Sequence, residues 1–220
     1  MIPLTPSNLH RFSPTAFRDL AMGALANPPP DEPYGPSDFD LTPELAAARP
    51  FPDALAKARP AAVLIPAIAR ETVSLLLTQR TAHLTAHAGQ IAFPGGKTEP
   101  SDTGPLDTAL REAREEIGLD PSLVVPLGIL DRYLTGTGFW ITPVIGLVDP
   151  DFKLTLDSNE VADAFEVPLP FLMDPMNYQR HTLMIDGLEQ HFHAVPFGDR
   201  FIWGATAGIL RNMHQRLFAS

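Results

Sequence analysis

The stretch from residue 104 to residue 118 constrains the fold of this chain more than any other. Its apolar residues recur at spacings of three and four, which at about 100° per residue places them on one stripe of an α-helix: Leu106, Ala109, Leu110, Ala113 and Ile117. Asp102 or Thr103 can cap the start of this helix, Pro105 suits its first turn, and Gly118 suits a left-handed stop. A helix with one apolar stripe has to cover another layer of the protein.

Strands predicted on both sides of this helix supply that layer. Apolar runs rich in β-branched residues occur at residues 62–68 and 72–78, which predict a hairpin or a pair of neighbouring strands, and again at 123–130, 140–148 and 160–167. Pro126 favours an edge position for its strand. Further helices are predicted at residues 168–173 and 206–218. Strands alternating with a few helices indicate an α/β fold with a mixed sheet covered on both faces.

Prolines are concentrated in the first quarter of the chain. Residues 28–36 read Pro-Pro-Pro-Asp-Glu-Pro-Tyr-Gly-Pro, which cannot sustain a helix or a central strand and is typical of a linker. A short helix at residues 15–22, capped by Ser13 or Thr15, and a helix start at residues 42–44 are predicted around it. We therefore expect a partly ordered, proline-rich extension over residues 1–55 that adds little to the core, and one domain over residues 56–220.

Composition excludes several classes of function. The chain has no cysteine, so disulfides, cysteine-ligated metals and a thiol nucleophile are absent. Its net charge of −10 predicts no binding to duplex nucleic acid, since neutralising phosphates needs Lys and Arg. The apolar run at residues 61–69 is far shorter than the roughly 20 residues of a membrane span. Without a basic start and an apolar stretch after it, the chain is predicted to be cytoplasmic and free of membranes.

Three carboxylates share a second face of the central helix. Glu112, Glu115 and Glu116 lie one to four residues apart, and such like-charge neighbours cost about 0.2–0.5 kcal/mol per pair. Arg111 can pair with Glu115 one turn later, but a hard divalent cation such as Mg²⁺ or Mn²⁺ would relieve the repulsion fully. The alternative is a plain solvated helix face. A Gly-Gly loop at residues 95–96, which lets backbone approach a ligand closely, favours the cation.

The sequence of this helix resembles the Nudix family. Residues 111–119 read Arg-Glu-Ala-Arg-Glu-Glu-Ile-Gly-Leu and match the closing half of the Nudix box at every position. The opening half departs, because Lys97 and Thr103 stand where the box has Gly and Glu. A one-residue insertion in the loop accounts for this departure and leaves Gly96 and Asp102 in those two roles.

A second motif is similar to the coenzyme A type of Nudix hydrolase. Residues 76–80 read Leu-Leu-Thr-Gln-Arg, His87 precedes a Gly-Gln pair, and residues 93–96 read Phe-Pro-Gly-Gly at the subfamily's spacing. Thr81 stands where Ser or Ala is usual, and Thr85 stands where Arg is usual. The missing Arg removes a bidentate phosphate donor, which bears on the substrate more than on the fold.

The resemblance implies an α/β/α sandwich and an enzyme. It implies that a Mg²⁺- or Mn²⁺-dependent reaction cleaves the pyrophosphate of coenzyme A or its derivatives to 4′-phosphopantetheine and adenosine 3′,5′-bisphosphate. The implied metal ligands are Glu112, Glu115, Glu116 and Gly96; the implied catalytic residues are Arg111, Glu115, Glu116 and Glu160; the implied substrate contacts are Arg80, His87, Gly95 and Gly96. Arg111 would orient a carboxylate, Asp102 would support the loop or a second metal shell, and Glu160 is the candidate base.

Alternatives stay open at several positions. Glu160 could be an exposed strand-end residue, Arg80 a structural ion pair, and His87 a solvated loop residue. His191 and His193 share a strand face, but zinc would need further ligands, so a surface or substrate-lining strand is favoured. Phe201 and Trp203 are expected in the core rather than stacked on adenine.

Two other functions compete with cleavage of coenzyme A. One is a diphosphatase for ADP-ribose or a dinucleotide, and the other is a nucleotide-binding module without turnover. The complete Arg-Glu-x-x-Glu-Glu pattern argues against the module, which has no chemical use for all three carboxylates. A small-molecule nucleotide is the expected partner, and a homodimer is left open.

Overall fold

The structure is a computed structural model that describes residues 10–26, 36–47, 52–83, 88–185 and 187–219 of the 220-residue chain. Its helices are α1 (Pro14–Ala24), α2 (Pro43–Ala46), α3 (Pro52–Lys57), α4 (Pro105–Ile117), α5 (Leu169–Leu172) and α6 (Ala205–Leu217), with 3₁₀ turns at His10–Phe12, Pro121–Leu123 and Pro175–Asn177. Its strands are β1 (Arg59–Ile68), β2 (Ser74–Arg80), β3 (Ile91–Ala92), β4 (Gly95–Lys97), β5 (Val124–Ile129), β6 (Tyr133–Leu134), β7 (Phe139–Val148), β8 (Val161–Pro168), β9 (Gln179–Ile185), β10 (Leu188–Phe197) and β11 (Arg200–Trp203).

The central sheet is mixed, as predicted. Strands follow the order β3-β2-β1-β7-β5, with β4 also paired to β1, β6 to β7 and β8 to β2. The β1–β7 pair is parallel over ten residue pairs, from Arg59 opposite Phe139 to Ile68 opposite Val148, whereas β1–β2, β2–β8 and β5–β7 are antiparallel. β5 lies at the end of the order, and its register shifts between Pro126 and Gly128. The edge position predicted from Pro126 is therefore confirmed.

Two apolar layers cover this sheet on opposite faces. Side chains alternate along β1, so that Ala62 and Leu64 face one side while Val63 and Ile65 face the other. The first side packs against α4. The second side packs against α1 and α6, together with a smaller sheet of order β11-β10-β9. The α/β/α sandwich is confirmed.

The N-terminal segment contributes more to the core than the sequence predicted. Helix α1 begins after Ser13, whose hydroxyl accepts a hydrogen bond from the Ala16 N–H at 3.4 Å. Phe17 and Ala21 have no exposed surface, and both belong to the larger apolar cluster. The expectation that this part adds little to the core is wrong, because α1 packs on β5 and α6.

The other predictions for the extension over residues 1–55 have mixed outcomes. The helix start predicted at residues 42–44 is confirmed by α2. The predicted linker at residues 28–36 lies outside the described residues except for Pro36. The division of the chain between residues 55 and 56 stays a prediction, and helix α3 spans it. No helix within the described ranges is long and apolar enough to cross a bilayer.

Candidate active site

Helix α4 carries the predicted carboxylates. Its apolar stripe packs on the sheet, with Ala109, Ala113 and Ile117 buried. It ends at Gly118 in the left-handed conformation (φ 67°), as predicted. Its start differs from the prediction, because the residue before the helix is Gly104 and no side chain caps it. Asp102 instead turns towards Arg111.

Arg111 binds four partners around the start of this helix. Its guanidinium donates two hydrogen bonds to the Asp102 carboxylate at 2.9 and 3.0 Å, and one to the Lys97 carbonyl oxygen at 3.0 Å. It also donates to Glu112 Oε1 and to Glu115 Oε2, each at 3.0 Å. The ion pair predicted between Arg111 and Glu115 is thus present, and Arg111 links the loop after β4 to the acidic face of α4.

These contacts keep both members of the main pair charged. Hydrogen bonds from the Arg111 guanidinium, followed by the Glu99 N–H, hold the pKa of Asp102 well below its usual range. The same Asp102 contact raises the pKa of Arg111. The ionised Asp102 therefore joins the loop, through the Glu99 N–H, to Arg111.

Glu116 is buried, so the solvated helix face named as the alternative to cation binding is wrong at this position. Only 5% of its surface is exposed. Its Oε2 accepts a hydrogen bond from the Gly95 N–H at 3.1 Å, and its Oε1 lies 3.6 Å from Arg80 Nη1. Burial raises its pKa to about 7, the Gly95 N–H and Arg80 oppose the rise, and the nearby carboxylates of Glu112 and Glu160 add to it.

Glu112 lies against the Gly-Gly loop. Burial raises its pKa, while Arg111 acts in the opposite direction. A side-chain carbon added at Gly96 would overlap the Glu112 carboxylate, and one added at Gly95 would overlap the β1 backbone at Ala62 and Val63. Glycine is therefore required at position 95, where the overlap is with backbone, whereas a larger residue at position 96 would force the Glu112 carboxylate to move.

Arg80 joins two of the carboxylates across the site. Its Nη1 faces Glu116 at 3.6 Å, and its Nη2 lies 3.7 Å from Glu160 Oε2. Its Nε is buried and has no hydrogen-bond partner among the described residues. Thr81, next along the chain, donates to the Asn159 carbonyl oxygen at 3.1 Å and so ties the end of β2 to the start of β8.

The structure thus brings together seven of the predicted residues around α4 and the β2 and β4 ends, namely Arg80, Gly95, Gly96, Arg111, Glu112, Glu116 and Glu160, and Glu115 joins them through Arg111. His87 and Thr85 lie outside the described residues.

Two other expectations concern the small sheet. His191 and His193 lie on β10, where His191 contacts Thr182 and His193 contacts Arg211, each at 2.9 Å. Phe201 is 42% exposed, so its expected place in the core is wrong.

The carboxylate oxygens of the site could bind a cation, but hydrogen-bond donors of the protein contact them in this structure. Within the described part of the chain, no three His, Cys, Asp or Glu side chains already form a group that could hold a metal. Arg111 occupies Glu112 and Glu115, and the Gly95 N–H occupies Glu116. Carboxylate oxygens suit Mg²⁺ or Mn²⁺, and a buried carboxylate whose charge is disfavoured gains most from one, so the donor set fits.

Comparison with known proteins shows which family the chain belongs to. The NUDIX domain profile matches residues 58–185. The chain is 41% identical over 159 residues to proteins named "Uncharacterized Nudix hydrolase NudL" from Yersinia pestis (strain Pestoides F) and Yersinia pseudotuberculosis (serotype O:1b, strain IP 31758), covering 72% of this chain and 80% of each relative. The chain belongs to the Nudix family. A Nudix hydrolase of this kind cleaves pyrophosphate bonds in nucleoside diphosphate derivatives, and the family uses divalent cations such as Mg²⁺ or Mn²⁺.

Solved structures resemble the Nudix chain more distantly. An Ap4A hydrolase binary complex from C. elegans is 18% identical, with a TM-score of 0.44, and covers 50% of this chain and 80% of its own. A MutT/nudix family protein from Enterococcus faecalis is 17% identical, with a TM-score of 0.45, and covers 71% of this chain and 60% of its own.

Sequence reasoning missed a polar contact on the face of the central sheet opposite α4. Arg200 donates to the Gln79 side chain and to Asp163, which are paired across β2 and β8. β11 brings Arg200 there from near the end of the chain, so no local spacing signals the contact.

Proposed function

We propose that this Nudix hydrolase cleaves coenzyme A or its derivatives, giving 4′-phosphopantetheine and adenosine 3′,5′-bisphosphate. The observation that supports it is the convergence of both coenzyme A-type segments on Glu116. The Leu-Leu-Thr-Gln-Arg segment supplies Arg80 on one side of this carboxylate, and the Phe-Pro-Gly-Gly segment supplies the Gly95 N–H on the other. The two motifs that are separate in sequence therefore border one buried carboxylate.

The proposed ligands of Mg²⁺ or Mn²⁺ are Glu112, Glu115 and Glu116, with a backbone oxygen of Gly96. A bound cation would offset the negative charge on the pyrophosphate oxygens. Arg111 orients two of these carboxylates through its hydrogen bonds.

The remaining steps fall to side chains on the other side of the site. Arg80 donates to a non-bridging phosphate oxygen through the two guanidinium nitrogens that face Glu116 and Glu160. A Glu160 oxygen takes a proton from water as the water oxygen bonds to one phosphorus. The bridging P–O bond then breaks, and its electron pair leaves with the other phosphate. Glu160 suits this role because its side chain is 49% exposed, within reach of solvent.

One observation favours a second candidate substrate. Thr85 and Thr81 replace the residues usual in the coenzyme A type, and Thr81 is occupied with the Asn159 carbonyl oxygen. A neutral hydroxyl contributes less to phosphate binding than a guanidinium, so recognition of the coenzyme A 3′-phosphate would be weaker. ADP-ribose or a dinucleotide, which lacks this phosphate, is the alternative. A cytoplasmic location and the assembly state stay predictions.

A substrate panel in ¹⁸O-labelled water tests the proposal. Coenzyme A, 3′-dephospho-coenzyme A, ADP-ribose and NADH are each incubated with Mg²⁺, with Mn²⁺ and with EDTA, and the products are weighed by mass spectrometry. We expect coenzyme A to give the two products above, with one ¹⁸O in only one of them and no turnover in EDTA. If ADP-ribose is the only compound cleaved, the second candidate substrate replaces coenzyme A.

A further inference from the structure

Glu160, the proposed base, lies in a turn that is bonded to the helix carrying the carboxylates. The turn covers residues 157–160, directly before β8, and is closed by a hydrogen bond from the Glu160 N–H to the Asp157 carbonyl oxygen at 3.0 Å. The Asp157 N–H donates in turn to the Glu116 carbonyl oxygen at 2.9 Å. The turn is therefore attached to the residue whose side chain is the buried carboxylate of α4.

Both peptide groups that flank the Glu160 Cα atom are hydrogen-bonded at each end. Their N–H groups, at Glu160 and Val161, both donate to the Asp157 carbonyl oxygen, at 3.0 and 2.8 Å. Their carbonyl oxygens both accept from Thr81, the Asn159 oxygen from the hydroxyl at 3.1 Å and the Glu160 oxygen from the N–H at 2.9 Å. Because both peptide planes are held, the direction in which the Glu160 side chain leaves the backbone is held as well.

The Glu160 carboxylate depends on this backbone because its own contact is loose. The side chain is 49% exposed, and its ion pair with Arg80 spans 3.7 Å, longer than a hydrogen bond. A contact of this kind does not fix a side chain by itself. The orientation of the carboxylate is therefore set mainly by the turn.

Thr81 joins this turn to the guanidinium on the other side of the site. It directly follows Arg80 at the end of β2, and only 7% of its surface is exposed. Backbone hydrogen bonds persist in most substitutions, whereas the bond from the Thr81 hydroxyl to the Asn159 oxygen can be removed by one. This hydroxyl is thus a side-chain contact through which the placement of Glu160 against Arg80 can be tested.

We infer that Thr81 is a positioning residue for the reaction, because its hydroxyl holds the turn so that the Glu160 carboxylate stays beside Arg80, within reach of the attacking water. The inference rests on the proposed role of Glu160 as the base. Misplacing a reacting group by about an ångström can cost up to about a hundredfold in rate.

Matched variants test the inference on whichever compound of the substrate panel is cleaved. Thr81→Val removes the hydroxyl and keeps the shape, so kcat should fall about tenfold while KM changes less than about twofold. Thr81→Ser keeps the hydroxyl and should retain kcat within about twofold. If Thr81→Val does not fold, Thr81→Ala, which also lacks the hydroxyl, takes its place.

Thr206→Val is the matched control. Thr206 is 8% exposed, and its hydroxyl donates to the Ile91 carbonyl oxygen at 3.0 Å, on the side of the sheet covered by α6. Both valine variants lose one hydroxyl–carbonyl bond, so each should lower the melting temperature by about 2–4 °C. Only Thr81→Val should lower kcat, and an equal loss of kcat in Thr206→Val overturns the inference.

A double variant shows whether the effect passes through Glu160. Glu160→Gln should lower kcat about a hundredfold or more, and adding Thr81→Val should cost less than about twofold further, because the base is already absent. A further tenfold loss, at about the size expected for Thr81→Val alone, overturns the inference. Parental kcat in Thr81→Val does the same. Parental activity of Glu160→Gln removes the base and the inference together, while cleavage of the substrate stands.

Amide exchange tests the hold on the turn without turnover. Deuterium uptake over residues 157–161, followed by mass spectrometry, should be about fivefold faster in Thr81→Val than in the parent and unchanged in Thr206→Val. Unchanged uptake in Thr81→Val overturns the inference even where the proposed function stands. Faster uptake in a protein that cleaves no compound of the panel supports the hold on Glu160 while the proposed function fails.

Discussion

Replacing Glu116 by glutamine should stabilise the metal-free protein and abolish its activity. The amide is nearly isosteric and keeps an oxygen to accept the Gly95 N–H, so the fold should persist. Raising the pKa of this carboxyl from 4.5 to about 7 corresponds to about 3 kcal/mol of disfavoured charge at high pH. That value already includes the attraction to Arg80. Since burying the polar amide also has a cost, we expect a net gain of about 1–3 kcal/mol at pH 8 in EDTA.

The sign of the pH dependence follows from the same value. Between about pH 4.5 and pH 7, the folded parent binds this proton more tightly than the unfolded chain does, so its free energy of unfolding falls as pH rises through that window. Glu116→Gln cannot titrate there and should lack this slope. Urea unfolding of both proteins at pH 5, 6, 7 and 8 in EDTA measures the difference. Mg²⁺ should then stabilise the parent more than the variant.

The activity of the same variant provides the second half of the test. Losing a charged ligand should reduce kcat by about a thousandfold or more at saturating Mg²⁺. Glu115→Gln is the stability control, because the Glu115 side chain is 59% exposed, and its free energy of unfolding should change by less than about 0.5 kcal/mol. A Glu116→Gln protein no more stable than its parent at pH 8 would refute the burial argument, and activity within tenfold of the parent would refute the metal assignment.

Two further substitutions test the core and the loop. Phe17→Ala should lower the free energy of unfolding, measured in urea, by about 3–5 kcal/mol, because the ring has no exposed surface. Met22→Ala on the same helix is the control, since Met22 is 53% exposed, and it should change this free energy by less than about 0.5 kcal/mol. Equal effects of the two substitutions would show that α1 does not belong to the core. Gly96→Ala should lower kcat/KM at least tenfold, by displacing the carboxylate it would overlap, at a cost of about 1–3 kcal/mol. Gly104→Ala, with extended backbone and no atom within 4 Å, should keep parental activity. If both glycine variants behave alike, the close approach of the loop has no catalytic role.

The local features of the fold could be predicted from the sequence because they depend only on spacing. The stripe through Ala109, Ala113 and Ile117 and the stop at Gly118 follow from the helical period and from the conformational freedom of glycine. The pair between Arg111 and Glu115 follows in the same way from a one-turn separation.

Features set by contacts between distant segments could not be predicted in this way. The burial of Glu116 depends on Gly95 and Arg80, which two different strands bring to it. Helix α1 is short, and its two buried residues, Phe17 and Ala21, are only one turn apart. This apolar pattern is too short to predict that the helix packs in the core. The exposed strand β9 has no clean alternation of burial along its length, and no strand was predicted there.

The parallel pairing of β1 with β7 has a consequence for how the protein acquires its activity. Paired residues such as Arg59 and Phe139 are 80 positions apart in the chain, so the entropy of closing a long loop precedes their contact. The intervening chain contains β2, β4 and α4, which carry most of the carboxylate site. Helix α4 can form locally, but Glu116 meets Gly95 and Arg80 only once the sheet is assembled. During refolding, far-ultraviolet circular dichroism should therefore recover before enzymatic activity does.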